Sequence, residues 1–153
     1  MRVYLDTCSI QRPLDDKSQL RNRLEAEAIL SILDLVRTGR IELMSSDVLT
    51  FEIMRNPHPV RRAFALETIL AASICVQHAK TVARRAKELH QTGIAALDSL
   101  HLASAEAGEA DLFCTCDDLF LRKAKRAVKG KTKAVSPLEL AEEIEKWQSQ
   151  LGH

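Results

Sequence analysis

The feature that most constrains the fold of this chain is its opening stretch, in which an unbroken apolar run leads directly into an aspartate. Val3, Tyr4 and Leu5 are strand formers without polar alternation, which predicts a central strand covered on both faces. Asp6 then falls at the carboxyl end of that strand. Ligands bind at this edge of open α/β sheets. Asp6 is therefore either a turn residue or the first member of an acidic site.

Apolar, strand-like runs alternate with helical patterns along the rest of the chain. Further strands are predicted at residues 41–44, 73–77, 111–115 and 134–135. Because helical segments separate them, this order predicts an α/β fold with a mostly parallel central sheet and helices on its faces. A chain of 153 residues can bury its own core, and we expect a single domain over residues 1–153.

Apolar residues that recur every three or four positions predict the helices. A polar loop is expected from Asp6 through residue 16, followed by a helix from about Ser18. The segment 94–107 is apolar nearly all round, which predicts a buried helix. The first helix is expected to bury a stripe made of Leu20, Leu24, Ala28, Ile32 and Leu35.

Composition limits the cellular setting and the partners. The formal net charge is only +1, so any nucleic-acid partner must be recognised by local patches. The four cysteines show no CxxC spacing and are too few for a disulfide framework. There is no signal peptide, and no apolar run approaches the ~18 residues of a membrane helix. We therefore expect a cytoplasmic protein with reduced thiols and no membrane association.

Four carboxylates stand in unusually apolar surroundings. A buried charge is costly unless it is paired or bound to a metal. No lysine or arginine lies between Ile94 and Ala110 to neutralise Asp98 locally, so Asp98 needs a distant partner or a cation. The four are Asp6, Glu52, Asp98 and Asp117.

Three of the four carboxylates also have a simpler interpretation. Asp6 could form an Asx turn, Asp117 could cap the next helix, and Glu52 could lie on a solvated helix edge. However, Asp6 and Asp117 both follow strands of a parallel sheet, so they should meet at one edge. Clustered carboxylates without histidine or cysteine ligands suit Mg²⁺ or Mn²⁺, which can activate a water for phosphodiester cleavage.

The acidic residues fall in segments that resemble the successive motifs of the PIN domain family, most closely the VapC-type toxins. The segments are residues 3–7, Glu52 after Ser46, residues 98–105, and residues 113–120 with the pattern Thr-x-Asp-x-x-Phe. The resemblance covers nearly the whole chain. It implies a Rossmann-like α/β/α sandwich that cleaves single-stranded RNA with Mg²⁺ or Mn²⁺. It also implies a homodimer and a cognate antitoxin.

The resemblance assigns roles to individual residues. Asp6, Glu52, Asp98 and Asp117 would form the catalytic quartet, with Asp6, Asp98 and Asp117 as metal ligands. Thr115, Thr7 and Ser9 would support the quartet. Cys8 replaces the commoner Asn or Ser, and Asp118 competes with Asp117 for its role. His101, three residues after Asp98, could orient an acid, contact substrate or simply be a hydrogen-bonded core residue.

A basic stretch follows Asp117 and could hold the RNA backbone, although charge runs usually form solvated faces. One alternative function is a non-catalytic PIN-type module that binds RNA or protein. Another is an unrelated phosphate-handling hydrolase, but position 8 holds Cys8 where the phosphatase Asp-x-Asp pattern needs its second aspartate, and no GxxxxGK loop occurs. The basic candidates are Arg122, Lys123, Lys125 and Arg126.

Overall fold

A five-stranded, fully parallel sheet forms the centre of the protein, whose computed structural model describes residues 1–152. The strands are β1 (Arg2–Leu5), β2 (Glu42–Ser46), β3 (Ile74–Val76), β4 (Leu112–Cys114) and β5 (Lys133–Val135). They lie in the order β3-β2-β1-β4-β5, and each pair of neighbours is parallel. The predicted α/β fold class is therefore confirmed.

Helices flank this sheet in the α/β/α arrangement. None of them, over residues 1–152, is both long and apolar enough to cross a membrane. A single 3₁₀ turn, Arg12–Leu14, follows the first helix. The helices are α1 (Thr7–Gln11), α2 (Leu20–Arg37), α3 (Asp47–Met54), α4 (Pro59–Ile69), α5 (Lys80–Gln91), α6 (Ala96–Ala107), α7 (Asp118–Ala127) and α8 (Pro137–Leu151).

Strand β1 is the centre of the core. Val3, Tyr4 and Leu5 are all fully buried, which requires cover on both faces of the sheet and confirms the central strand predicted from the sequence. The Tyr4 ring stacks on Phe113 of β4 with 5.4 Å between ring centroids. Phe113 meets Phe120 of α7 edge-on at 5.6 Å. These aromatic contacts fix α7 against β4, the strand that pairs with β1 and lies beside Asp6.

The pairing of β1 with β4 brings two predicted site segments together. Leu5 lies opposite Cys114 in the parallel register, and the Asp6 backbone N–H donates to the Cys114 carbonyl at 3.1 Å. The residues that follow both strands therefore leave the sheet at the same edge. This edge is the one at which an open parallel sheet binds ligands.

Two predicted details of the N-terminal third differ from the structure, the first entirely and the second in part. The segment after Asp6 is not a polar loop, because the Asp6 side chain accepts from the Ser9 backbone N–H at 3.0 Å and caps the short helix α1. The predicted stripe of α2 is only partly correct, since Ala28 and Ile32 are buried but Leu20 and Leu24 are 60% and 47% exposed. The helix instead buries Glu25, which lies 3.0 Å from Arg12 and 3.4 Å from Arg21.

Candidate active site

An open pocket of about 430 Å³ lies at the carboxyl edge of β1 and β4. Helix α1, helix α3 and the first turn of α6 surround it. All four acids singled out in the sequence line this pocket, although Asp6 and Asp117 are 111 residues apart in the chain. The lining residues are Asp6, Thr7, Cys8, Gln11, Arg12, Glu52, Asp98, His101, Cys116 and Asp117.

Asp6 is almost completely buried at the base of the pocket. Its Oδ1 accepts from the Ser9 backbone N–H at 3.0 Å and from the Cys8 thiol at 3.1 Å. Asp6 is thus a helix cap as well as a pocket residue, so the turn interpretation and the site interpretation describe the same side chain. Burial raises the pKa of Asp6 well above its ordinary value, and the Thr115 hydroxyl opposes that rise.

Asp98 lies in the first turn of α6 and is half-buried. Burial raises the pKa of Asp98, nearby His101 opposes the rise, and the negative charges of Asp117 and Glu52 add to it. Two of the four carboxylates are therefore held in surroundings that disfavour their ionised form. A divalent cation between them would reverse that preference.

Replacing Asp6 by Asn should change how the stability of the metal-free protein depends on pH. A raised folded-state pKa means that Asp6 stabilises the fold fully below its unfolded pKa of about 3.9, and that this stability is lost as pH rises through the folded pKa. We expect Asp6→Asn, which keeps the helix cap, to gain stability relative to the wild type as pH increases above about 4. Urea unfolding in EDTA across this range measures the difference. A difference independent of pH would contradict the shift.

Glu52 is held by a chain of hydrogen bonds that starts in the core. The Ser46 hydroxyl bonds Tyr4 Oη at 2.7 Å, Tyr4 Oη bonds His101 Nδ1 at 2.7 Å, and His101 Nε2 bonds Glu52 Oε1 at 3.0 Å. The Thr7 hydroxyl also donates to Glu52 Oε1. Burial works against ionisation of Glu52, but the bonds from His101 and Thr7 outweigh it and lower its pKa below the ordinary value.

The direction of this chain follows from its ends. A carboxylate can only accept, so His101 Nε2 must carry a proton and donate to Glu52. In neutral His101 the other nitrogen, Nδ1, is then an acceptor, and the Tyr4 hydroxyl donates to it. Ser46 Oγ, which accepts from the Leu49 N–H at 3.1 Å, supplies its own proton to Tyr4 Oη. His101 is buried, so it orients an acid from within the core.

Asp117 and Asp118 have different surroundings. Asp117 caps α7 through Oδ1, which accepts from the Phe120 N–H at 3.0 Å, and it lines the pocket. Asp118 points to Arg21, whose two terminal nitrogens each donate to it at 2.7 Å. The capping interpretation of Asp117 is thus correct but does not remove it from the pocket. Of the two acids, Asp117 is the one positioned with the quartet.

The three predicted supporting residues reach the acids in different ways. Thr7 contacts Glu52 directly. Thr115 is buried between Asp6 and the Asp117 backbone N–H, which donates to its hydroxyl at 3.1 Å. The Ser9 hydroxyl points away from the pocket and donates to the Cys114 carbonyl at 3.1 Å. Ser9 therefore contributes only its backbone N–H to Asp6 and otherwise joins α1 to β4.

Three pocket residues, Gln11, Arg12 and Cys116, were not predicted from the sequence to belong to the site. Gln11 ends α1 and Arg12 begins the 3₁₀ turn after it, three and four residues beyond Cys8, so both reach the pocket beside Cys8 in a segment that was predicted to be a loop. Their spacing of three and four residues is the helical signal that could have found them. Cys116 lies beyond β4 and lines the pocket beside Cys8, whose sulfur accepts from the Cys116 backbone N–H at 3.4 Å.

The donor chemistry of the pocket suits a hard divalent cation, since the acids offer oxygen ligands. Within residues 1–152, no group of three or more acidic, histidine or cysteine side chains already converges on a point that could hold a metal. Mg²⁺ usually keeps several waters and binds through one or two carboxylates. The residues present therefore fit an ion held partly through water.

Comparison with known proteins agrees with the fold. The family model described as "PIN domain" matches residues 3–126. No curated protein sequence matches the chain. A chain in the crystal structure of VapBC2 from Rickettsia felis, bound to a DNA fragment from their promoter, superposes with a TM-score of 0.54 at 15% identity, covering 89% of this chain and 98% of that one. PAE2754 from Pyrobaculum aerophilum gives 0.56 at 11% identity, covering 95% and 96%.

Proposed function

Because the chain belongs to the PIN domain family, whose members are generally nucleases, we propose that it is a metal-dependent endoribonuclease that cleaves single-stranded RNA. The observation that carries the proposal is the convergence of Asp6, Glu52, Asp98 and Asp117 on one pocket. Phosphodiester hydrolysis by clustered carboxylates depends on such convergence. The family match also removes the reason to consider an unrelated phosphatase.

Each acid has a distinct role in this proposal. Asp6, Asp98 and Asp117 would hold Mg²⁺ or Mn²⁺, partly through water. The bound ion would lower the pKa of a water and polarise the phosphodiester. Glu52, kept ionised by His101 and Thr7, would orient that water and accept its proton. Tyr4 and Ser46 keep His101 in the tautomer that holds Glu52 in place.

Removal of divalent metal should stop RNA cleavage. We expect EDTA to lower the rate on a fluorescein-labelled single-stranded RNA by about a hundredfold or more, since the ion supplies roughly 3 kcal/mol of transition-state stabilisation or more. Excess Mn²⁺ or Mg²⁺ should restore the rate. Gel electrophoresis of the products measures it, with single-stranded DNA of the same sequence as the matched substrate. RNA that is bound but never cut with either ion would favour the non-catalytic binding module.

We extend the proposal to a toxin role with a cognate antitoxin and a homodimer. The neighbouring VapBC2 structure contains a toxin–antitoxin pair, which supports an antitoxin partner for this chain.

A partly exposed apolar face, which includes Phe51 of α3 and Leu97 and Leu100 of α6, lies beside Glu52 and Asp98 and suits a second copy. We propose a cytoplasmic location, and the four free thiols are consistent with a reducing compartment.

A further inference from the structure

We infer that a second cavity beside the acidic pocket binds one nucleotide of the strand next to the cleaved phosphodiester, an inference that rests on the proposed nuclease function. The cavity has a volume of about 310 Å³ and lies between the turn joining α5 to α6 and the start of α7. Asp98 and Asp117 line both this cavity and the acidic pocket. A strand with one phosphate at the acids can therefore place its neighbouring nucleotide here.

The walls of the cavity suit the flat, largely apolar face of a base. Ile94 and Ala95 form one side, and Leu119 and Phe120 of α7 form the other. Leu119 is 55% exposed, which is ordinary for a single surface leucine, but here it lines the cavity together with the buried side chains of Ile94 and Phe120. The volume lies at the lower end of the range of about 300–1,000 Å³ for pockets that take small molecules.

Lys123 supplies the positive charge that a nucleotide phosphate requires. It lines the cavity, and its Nζ donates to the Gly93 carbonyl at 2.7 Å. Gly93 has a φ of +104°, a conformation that favours glycine, so the turn is shaped to present this carbonyl. Lys123 has no carboxylate partner within the described chain, and an ammonium group has three hydrogens. Two N–H donors therefore remain for a ligand phosphate, in a cavity whose lining also includes the acids Asp98 and Asp117.

The other basic residues of this stretch have different surroundings. Lys125 Nζ contacts both oxygens of Glu139, at 3.0 Å and 2.8 Å, so its charge is already paired. Arg122 and Arg126 are exposed and, in the described part of the protein, line neither this cavity nor the acidic pocket. Of the basic residues at 122–126, we therefore propose only Lys123 as a contact to the RNA phosphate backbone.

Binding of a single-stranded RNA oligonucleotide in EDTA tests the inference without requiring cleavage. We expect Lys123→Gln to weaken binding about fivefold at ~0.1 M salt and to reduce the salt slope by about 0.7, the loss of one phosphate contact. The Gln amide can still donate to the Gly93 carbonyl, so the turn is retained. Lys129→Gln removes an exposed charge from the same stretch and should change binding less than twofold. Fluorescence anisotropy of labelled RNA measures both.

Two further variants separate charge from structure. Lys123→Arg should bind RNA nearly as the wild type does, because the charge is kept. Leu119→Glu, an exposed position in the first turn of α7 where an acid is favoured, should weaken binding by placing a negative charge on the wall. Equal binding by wild type, Lys123→Gln and Leu119→Glu would overturn the subsite, as would a wild type that binds no RNA. Neither result depends on cleavage. If the protein failed to cleave RNA with Mn²⁺, that failure would overturn the nuclease function alone.

Discussion

Replacing Asp98 by Asn is expected to lower the rate of metal-dependent RNA cleavage by about three orders of magnitude, equivalent to roughly 4 kcal/mol of transition-state stabilisation. Asp98 lines the pocket between Asp117 and His101, and burial already raises its pKa. An amide has nearly the same shape but no charge, so it cannot hold a divalent cation as a carboxylate does. Cleavage of labelled RNA in saturating Mn²⁺ measures the loss.

The fold should survive this substitution, because the amide removes a half-buried charge whose ionised form is disfavoured. Asp118→Asn is the matched control. It removes a carboxylate at the start of α7 that is bound by Arg21 and does not line the pocket. Asp118→Asn should cleave within about twofold of the wild type. Cleavage by Asp98→Asn at the control rate, with unchanged melting, would remove Asp98 from the catalytic quartet.

Local sequence was sufficient to predict the features of the site that depend on strands. The apolar run Val3–Leu5 could only be a covered strand, and it is fully buried. Asp6 and the segment before Asp117 had to leave a parallel sheet at one edge, where the structure has them. Asp98 was recognised because its helix has no cation nearby in sequence. These predictions rest on the spacing of apolar residues and on the position of an acid within a short segment, and both can be read directly from the sequence.

The features that sequence reasoning missed depend on contacts between distant segments. Helix α1 is only five residues long, too short to show a hydrophobic period, and its cap is the side chain of Asp6 itself. Tyr4 was predicted only as a strand residue. Nothing in the sequence indicated that its hydroxyl would bond Ser46 and His101 across the core. The burial of Glu25 in α2 was not predicted, since nothing near it in sequence shows that Arg12 would cover it.

That buried pair carries the largest expected effect on stability. Replacing Arg12 by Met should lower the free energy of unfolding by about 3 kcal/mol, because it leaves the carboxylate of Glu25 buried without its main partner. Arg21 Nε lies 3.4 Å from Glu25 and is half-exposed, so it compensates only in part. Asp15, the other partner of Arg12, keeps its ion pair with Arg61 at 2.9 Å. Urea unfolding at pH 7 measures the loss.

The double variant Arg12→Met with Glu25→Met distinguishes a lost charge partner from lost packing. When both charged groups are replaced by apolar side chains of similar volume, no unpaired charge remains buried, and stability is often unchanged or increased. We therefore expect the double variant to recover most of what Arg12→Met loses, with a coupling energy of about 2 kcal/mol in the double-mutant cycle. If the two substitutions instead added independently, the pair would contribute packing alone, and the covering of Glu25 by Arg12 would not be an electrostatic requirement of the fold around α1.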